Sequence, residues 1–147
     1  MKYAYHDISK MIDHSLLNPS LKMGELEAGC KLAAEYDVAS VCIMPYYLGR
    51  ASELLRDSEV KVGTTIGFPH GGHTKTVKMA EAREAIEEGA EELDMVINIS
   101  KAVSGDWDYV RDEISDICDL CHSNDVKLKV IFENCYLNSG QKIMLCE

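Results

Sequence analysis

The chain has few basic side chains and no long apolar run. Its 147 residues carry 15 Lys and Arg against 25 Asp and Glu, a formal net charge of -10. Polyphosphate chains are attracted by a positive field, so this balance argues against a nucleic-acid partner, whereas one phosphate of a small metabolite needs only local cations or a helix N-terminus. No stretch approaches the roughly 20 apolar residues of a membrane span, and the N-terminus does not resemble a secretory signal. We therefore expect a cytosolic protein with no membrane partner.

Cysteine is too sparse for a disulfide framework. The six cysteines lie mostly inside apolar periodic segments, which is typical of small core residues in a reducing compartment. Cys118-Asp-Leu-Cys121-His122 matches the haem-attachment pattern C-x-x-C-H. It falls at the end of a helix whose predicted apolar stripe is Trp107, Val110, Ile114, Ile117 and Cys121, so we interpret these cysteines as buried helix residues. No cofactor and no metal are expected.

Apolar periodicity predicts alternating strands and helices. Strands are predicted at residues 38–43, 60–66, 93–97 and 128–132. Helices are predicted at about 3–11, 21–36, 48–55, 74–88 and 107–122, and a last helix begins with Asn138 as N-cap and Gln141 at the capping-box position. In the helix at 74–88 the predicted buried face is Met79, Ala82, Ile86 and Gly89. The length and the 46% hydrophobic content indicate a single domain over residues 1–147.

This alternation predicts a parallel sheet covered by helices, either doubly wound or closed as a barrel. No G-x-G-x-x-G follows the first predicted strand, which disfavours a dinucleotide-binding fold. Polar residues instead follow several different strands, as is typical of a (β/α)₈ barrel. Because such a barrel needs eight strands, the four predicted βα units indicate an incomplete one, the front part of a longer barrel.

Two predicted strands carry ionisable groups at alternating positions. In the segment 92–99, Asp94 and Asn98 are separated by an even number of positions and so lie on the same side of a strand. The same holds for Lys129 and Glu133 in the segment 127–133. A strand buried on both faces normally reads as a continuous apolar run, so these groups indicate a solvated or catalytic interior. We therefore expect Asp94 and Lys129 to stand side by side on the inner wall of an active site.

Five blocks of sequence strongly resemble the deoxyribose-phosphate aldolases. They are Ile12-Asp-His-Ser-Leu-Leu-Asn-Pro19, Ala39-Ser-Val-Cys-Ile-Met-Pro-Tyr46, Ile66-Gly-Phe-Pro-His-Gly-Gly72, Glu92-Leu-Asp-Met-Val-Ile-Asn-Ile99 and Leu128-Lys-Val-Ile-Phe-Glu-Asn134. The blocks occur in order over nearly the whole chain and cover about the first two thirds of such an enzyme.

The resemblance implies a class I aldolase on a (β/α)₈ barrel. Such an enzyme cleaves 2-deoxyribose 5-phosphate, a small phosphorylated sugar, to glyceraldehyde 3-phosphate and acetaldehyde, with no metal and through a lysine Schiff base. Asp94 matches the aspartate of the proton relay, and Lys129 matches the lysine beside it. The expected substrate-binding residues are Asp13, Ser15, Cys42 and Asn98.

The chain departs from the family pattern after its last block. The Schiff-base lysine, in a later Lys-Thr-Ser-Thr-Gly block on the sixth strand, is absent, as are the second relay lysine and the phosphate loops. On this reading the chain is inactive by itself. Lys129 acting as a second cation and Asp94 passing protons through water would be supporting roles.

Other interpretations remain open from the sequence. Asp94 and Lys129 can form a purely structural ion pair, and Lys129 can itself be a substitute nucleophile. The segment 68–74 reads either as an anion-binding loop or as a turn with an N-cap, and His70 with His73 reads as a weak metal-site candidate. The whole chain is alternatively a non-catalytic half-barrel that forms a homodimer, or a class I aldolase with a different substrate.

Overall fold

A computed structural model describes residues 2–147 as an α/β fold with five parallel strands. The strands form one sheet in the order β1-β2-β3-β4-β5. They are β1 Asp13–Leu16, β2 Ser40–Ile43, β3 Lys61–Ile66, β4 Glu92–Val96 and β5 Lys127–Ile131. Five strands in chain order, each followed by a helix, agree with the expected incomplete barrel, and this part of the prediction is confirmed.

Residues 2–147 contain seven α-helices, of which α1 precedes the first strand and α7 follows the last. They are α1 Tyr5–Ser9, α2 Met23–Glu35, α3 Leu48–Leu55, α4 Lys75–Glu87, α5 Ile99–Val103, α6 Trp107–His122 and α7 Ser139–Met144. Short 3₁₀ turns occupy Pro45–Tyr47 and Asn134–Tyr136. The predicted cap of the last helix is present, because Asn138 Oδ1 accepts the Gln141 N–H at 2.9 Å and Gln141 Oε1 accepts the Asn138 N–H at 2.9 Å.

Two elements were not predicted from the sequence. Strand β1 has only four residues, Asp-His-Ser-Leu, and its burial alternates between exposed and partly buried positions. It becomes a strand by pairing in parallel with β2, with Asp13 opposite Ser40 and Ser15 opposite Cys42. Helix α5 has five residues, too few for an apolar period to be visible.

The chain divides into two compact units. The first runs up to Thr64 and includes Ala85–Glu92. Its core is formed by β2, which is buried along its whole length, and by the apolar faces of α2 and α3. Gly29 lets α2 approach β1 closely, because a Cβ there would lie 2.6 Å from the Leu16 side chain.

The second unit consists of Thr65–Glu84 and Leu93–Glu147. Ile97, Ala102, Val110 and Leu137 form a buried apolar cluster in it. Partly buried side chains surround this cluster, namely Ile99, Trp107, Ile114, Val130, Phe132 and Leu145. The end of β4 is joined to β5 by the Ile97 N–H, which donates to Ile131 O at 3.2 Å.

The helix faces differ in detail from the predicted stripes. Gly89 is exposed rather than buried, and its φ of 97° places it in the left-handed region that follows a helix end. In α4 and α6 two charged residues, Lys78 and Glu113, occupy fully buried positions. A prediction of the buried helix face from apolar residues misses such residues, because it assigns charged side chains to the exposed face.

No helix within residues 2–147 combines the length and the apolar character that a membrane crossing requires.

The loop after β3 depends on Gly71, whose backbone φ is 63°. A Cβ at this position would lie 1.7 Å from the Ile97 backbone oxygen, so only glycine fits without moving β4 or the loop. We expect Gly71→Ala to lower the free energy of unfolding by about 2 kcal/mol or more. Gly72→Ala is the matched control, because nothing lies within 4 Å of its added Cβ. Urea unfolding of both variants checks this, and equal stabilities would contradict the close approach.

Cysteine reactivity provides a second check of the fold. Burial raises the pKa of Cys121 to about 11, whereas Cys135 and Cys146 are exposed. At pH 8 only about one Cys121 side chain in a thousand is then a thiolate, the reactive form. We expect iodoacetamide to modify Cys135 and Cys146 first and Cys121 only after unfolding, as measured by peptide mass spectrometry. Early modification of Cys121 in the folded protein would contradict this placement.

Candidate active site

Asp94 and Lys129 lie side by side in the second unit. Asp94 is in the middle of β4, Lys129 is in the middle of β5, and Lys129 Nζ is 2.9 Å from Asp94 Oδ2. Their adjacency follows from the sheet order, which makes β4 and β5 neighbours, and from the alternation of side chains along each strand. The expected contact is therefore present. The catalytic roles of the two residues stay predictions.

The two members of this pair differ in their exposure to solvent. The Asp94 side chain is 11% exposed, whereas that of Lys129 is 50% exposed. Asp94 is held among the fully buried neighbours Leu93 and Met95 of the same strand. A pair with one half-exposed member contributes about 1 kcal/mol or less to stability, so stability alone does not account for charges in this strand. The lysine side of the pair therefore faces solvent more than the carboxylate side does.

Asn98 lies two residues after the end of β4 and immediately before α5. Its Oδ1 accepts the Lys101 N–H at 3.1 Å, which makes it the N-cap of α5, and its own backbone N–H donates to Glu113 Oε2 at 3.0 Å. The side chain expected to bind substrate thus already has a structural role through its oxygen. Its Nδ2 takes part in neither of these two bonds.

Lys78 and Glu113 form a second ion pair, which the sequence analysis missed. Lys78 Nζ is 2.9 Å from Glu113 Oε2 and donates to the Val96 backbone oxygen at 2.8 Å. Both side chains are fully buried. Burial lowers the pKa of Lys78 below the ordinary lysine value, and the hydrogen bond to Glu113 opposes that shift. Each residue stands four positions before a buried apolar residue of its own helix, Ala82 in α4 and Ile117 in α6, and this spacing was the available sequence signal.

The glycine-rich loop after β3 is held by Glu81. Glu81 Oε2 accepts the Gly67 N–H at 2.8 Å, and Glu81 Oε1 is 3.1 Å from His73 Nδ1. The Gly71 N–H donates to Gly67 O at 2.7 Å. Two of the loop amides that an anion would need are therefore already used inside the protein, which favours the interpretation as a structured turn. Residues 2–147 contain no group of three or more His, Cys, Asp or Glu side chains placed to hold a metal ion.

Three other predicted site residues lie together in the first unit. Asp13 and Ser15 alternate along β1, and their partners in the parallel register are Ser40 and Cys42. Asp13 Oδ1 accepts the Ser40 hydroxyl at 2.7 Å. Cys42 is buried, with 6% of its surface exposed. Because paired residues of adjacent strands share a face, Asp13, Ser15 and Cys42 lie on the same face of the sheet.

His14 points to the other face of β1. It lines an apolar groove of about 330 Å³ in the first unit, together with Tyr5, Ile8, Ser9, Ile12, Leu32, Ala33, Tyr36 and Val38. The alternation of side chains along β1 therefore separates His14 from Asp13 and Ser15. This placement favours a structural role for His14.

The sequence and the fold both match known aldolases. A model of the DeoC/LacD family of aldolases matches residues 8–142. The deoxyribose-phosphate aldolase of Rhodopirellula baltica is 59% identical over 145 residues, which is 99% of this chain and 60% of that protein. That of Caldanaerobacter subterraneus subsp. tengcongensis is 47% identical over 142 residues, or 96% of this chain and 62% of that protein.

A solved structure shows the same correspondence. The tetrameric deoxyribose phosphate aldolase from Aeropyrum pernix matches with a TM-score of 0.88 and 30% identity, over 97% of this chain and 59% of that one. The chain thus spans about 60% of the length of these relatives. With a family match over residues 8–142 and 59% identity to one relative, the chain belongs to the DeoC/LacD family of aldolases.

Proposed function

We propose that this chain supplies the N-terminal part of a deoxyribose-phosphate aldolase, residues 1–147 forming one portion of an aldolase barrel domain. The reaction is the reversible cleavage of 2-deoxyribose 5-phosphate to glyceraldehyde 3-phosphate and acetaldehyde through a lysine Schiff base. The observation that carries the proposal is the 2.9 Å contact between Lys129 Nζ and Asp94 Oδ2 on neighbouring strands. It is supported by relatives named deoxyribose-phosphate aldolase at up to 59% identity.

The two charged residues have different roles in this reaction. A lysine amine attacks a carbonyl only when it is neutral, and a second cation nearby favours the neutral form. Lys129 is that second cation, and Asp94 holds and passes a proton through a bound water. Asp13, Ser15, Cys42 and Asn98 contact the sugar phosphate, with Asn98 acting through its Nδ2 donor.

The nucleophile is not among residues 1–147 in this proposal. Lys129 Nζ is engaged by the Asp94 carboxylate at 2.9 Å, and in this proposal it serves as the second cation rather than as the attacking amine. The chain by itself therefore binds or positions substrate without forming the Schiff base. The proposed setting is the cytoplasm, where a small phosphorylated sugar is the partner.

Trapping of the imine tests the absence of a nucleophile in this chain. The protein is incubated with acetaldehyde or 2-deoxyribose 5-phosphate, reduced with borohydride, and examined by intact mass. We expect no stable adduct. An adduct mapped by peptide mass to Lys129 would replace the proposal with one in which Lys129 is the nucleophile.

A fusion tests the proposed reaction itself. Residues 1–147 are joined to the C-terminal remainder of the Rhodopirellula baltica relative, which is 59% identical over the shared part. We expect this fusion to cleave 2-deoxyribose 5-phosphate, and we expect Asp94→Asn in it to lower kcat at least about 100-fold, because the variant removes the proton carrier.

The matched control is Asp119→Asn, the same chemical change at an exposed position of α6. It should leave kcat within about twofold, as expected for a surface substitution. A folded but inactive fusion would contradict the proposed reaction. Equal kcat values for the Asp94 and Asp119 variants would contradict the role of Asp94.

A further inference from the structure

The buried Lys78–Glu113 pair joins four segments of the second unit. Lys78 belongs to α4 and Glu113 to α6. Lys78 Nζ donates to the backbone oxygen of Val96, the last residue of β4, and Glu113 Oε2 accepts the backbone N–H of Asn98, the N-cap residue of α5. One carboxylate oxygen thus receives two donors, from the lysine and from the backbone.

The pair also supports the loop that follows β3. The Lys78 side chain packs against Gly67, where an added Cβ would lie 2.7 Å from Lys78 Cε. The backbone N–H of the same glycine is held by Glu81. The lysine therefore contacts both the turn after β3 and the end of β4, the strand that carries Asp94.

Stability alone does not explain this arrangement. A buried ion pair loses much of its attraction to the cost of removing both charges from water, and apolar residues of similar volume often serve equally well. Moreover, Glu113 Oε1 is buried and has no hydrogen-bond partner among the described residues, which is a further cost. What an apolar pair cannot supply is a donor for Val96 O and an acceptor for the Asn98 N–H.

We propose that Lys78 and Glu113 are positioning residues for the candidate active site, and that they act by fixing the backbone from Val96 to Asn98. The acceptor from Glu113 sets the place of the Asn98 backbone, and Asn98 Oδ1 then caps α5 through the Lys101 N–H. The orientation of the Asn98 Nδ2 donor thereby depends on Glu113 of α6, a helix that contains no proposed substrate-binding residue. This inference rests on the proposed function for its catalytic consequence, but its structural part can be tested without activity.

The test compares two double variants that differ in one group. Lys78→Met with Glu113→Gln removes both charges and keeps a carbonyl oxygen to accept the Asn98 N–H. Lys78→Met with Glu113→Leu removes both charges and that acceptor. Hydrogen exchange measured by NMR on the 147-residue chain reports each amide separately.

We expect the glutamine variant to retain the protection of the Asn98 and Lys101 amides. In the leucine variant exchange at these two amides should rise at least about tenfold, while the Ile97 amide, which donates to Ile131 O, is unchanged. The Lys101 amide does not touch Glu113, so its response reports transmission through the Asn98 cap. A uniform rise at all three amides, or no rise at any of them, would overturn the positioning role.

The unaltered chain provides a measurement that does not depend on whether the variants fold. The Asn98 amide should exchange at least about tenfold more slowly than the Ser100 amide of the same turn, because only the former donates to Glu113. Equal exchange at the two amides would overturn the proposal.

The enzymatic consequence is measured separately in the aldolase fusion described above. The leucine double variant should lower kcat/KM at least about tenfold relative to the glutamine double variant, a loss expected when a substrate-contacting group is misplaced. Equal kcat/KM values for the two variants would overturn the positioning role. Inactivity of the unaltered fusion would count against the proposed function, and the amide measurements would still decide the positioning role.

Discussion

The end of β4 is so deeply buried that its backbone polar groups need hydrogen-bond partners within the protein. Leu93, Met95, Val96 and Ile97 are fully buried, so the backbone donors and acceptors of this segment have little access to solvent. The Asp94 carboxylate is met by Lys129, the Val96 carbonyl by Lys78 and the Asn98 N–H by Glu113. The requirement that buried polar groups be satisfied thus determines which side chains the neighbouring elements bring to this strand.

Two lysine–carboxylate pairs of similar length meet this requirement in different environments. The N–O distance is 2.9 Å in both, but the Lys129 side chain is 50% exposed, whereas that of Lys78 is fully buried. Burial lowers the pKa of Lys78, a property associated with lysine nucleophiles, yet no substrate can reach its amine. Accessibility therefore separates the pair that can take part in chemistry from the pair that holds the backbone.

The regular elements were predictable from the sequence because their apolar periods are long enough to read. Strands β2 to β5 and the three longest helices fall within a few residues of their predicted positions. The contact of Asp94 with Lys129 was predictable too, since two alternating strands that are adjacent in chain order place same-face residues together. Strand β1 was not, because the segment Asp-His-Ser-Leu has no β-branched residue and owes its conformation to pairing with β2.

The hydrophobic pattern of the sequence does not predict the buried ion pair of Lys78 and Glu113. Lys78 and Glu113 each occupy an inner helical position and so count against the apolar face there. The two residues have opposite charge and lie 35 residues apart in the chain. Many such combinations exist among 40 charged side chains, 15 basic and 25 acidic, so the sequence does not single out this pair. Identifying the right one requires the packing of α4 and α6 on the strand end.

The contact between Asp94 and Lys129 also constrains how the site can work. A carboxylate that accepts a hydrogen bond from an ammonium at 2.9 Å must exchange that partner for water or substrate before it can take up a proton. Asp94 is fixed by its buried strand, so the exchange requires movement of the lysine. The Lys129 side chain is half-exposed, and a partly exposed ion pair of this kind contributes only about 1 kcal/mol or less. In the proposed reaction Lys129 is therefore the member of the pair that moves, and Asp94 is the fixed member that carries the proton.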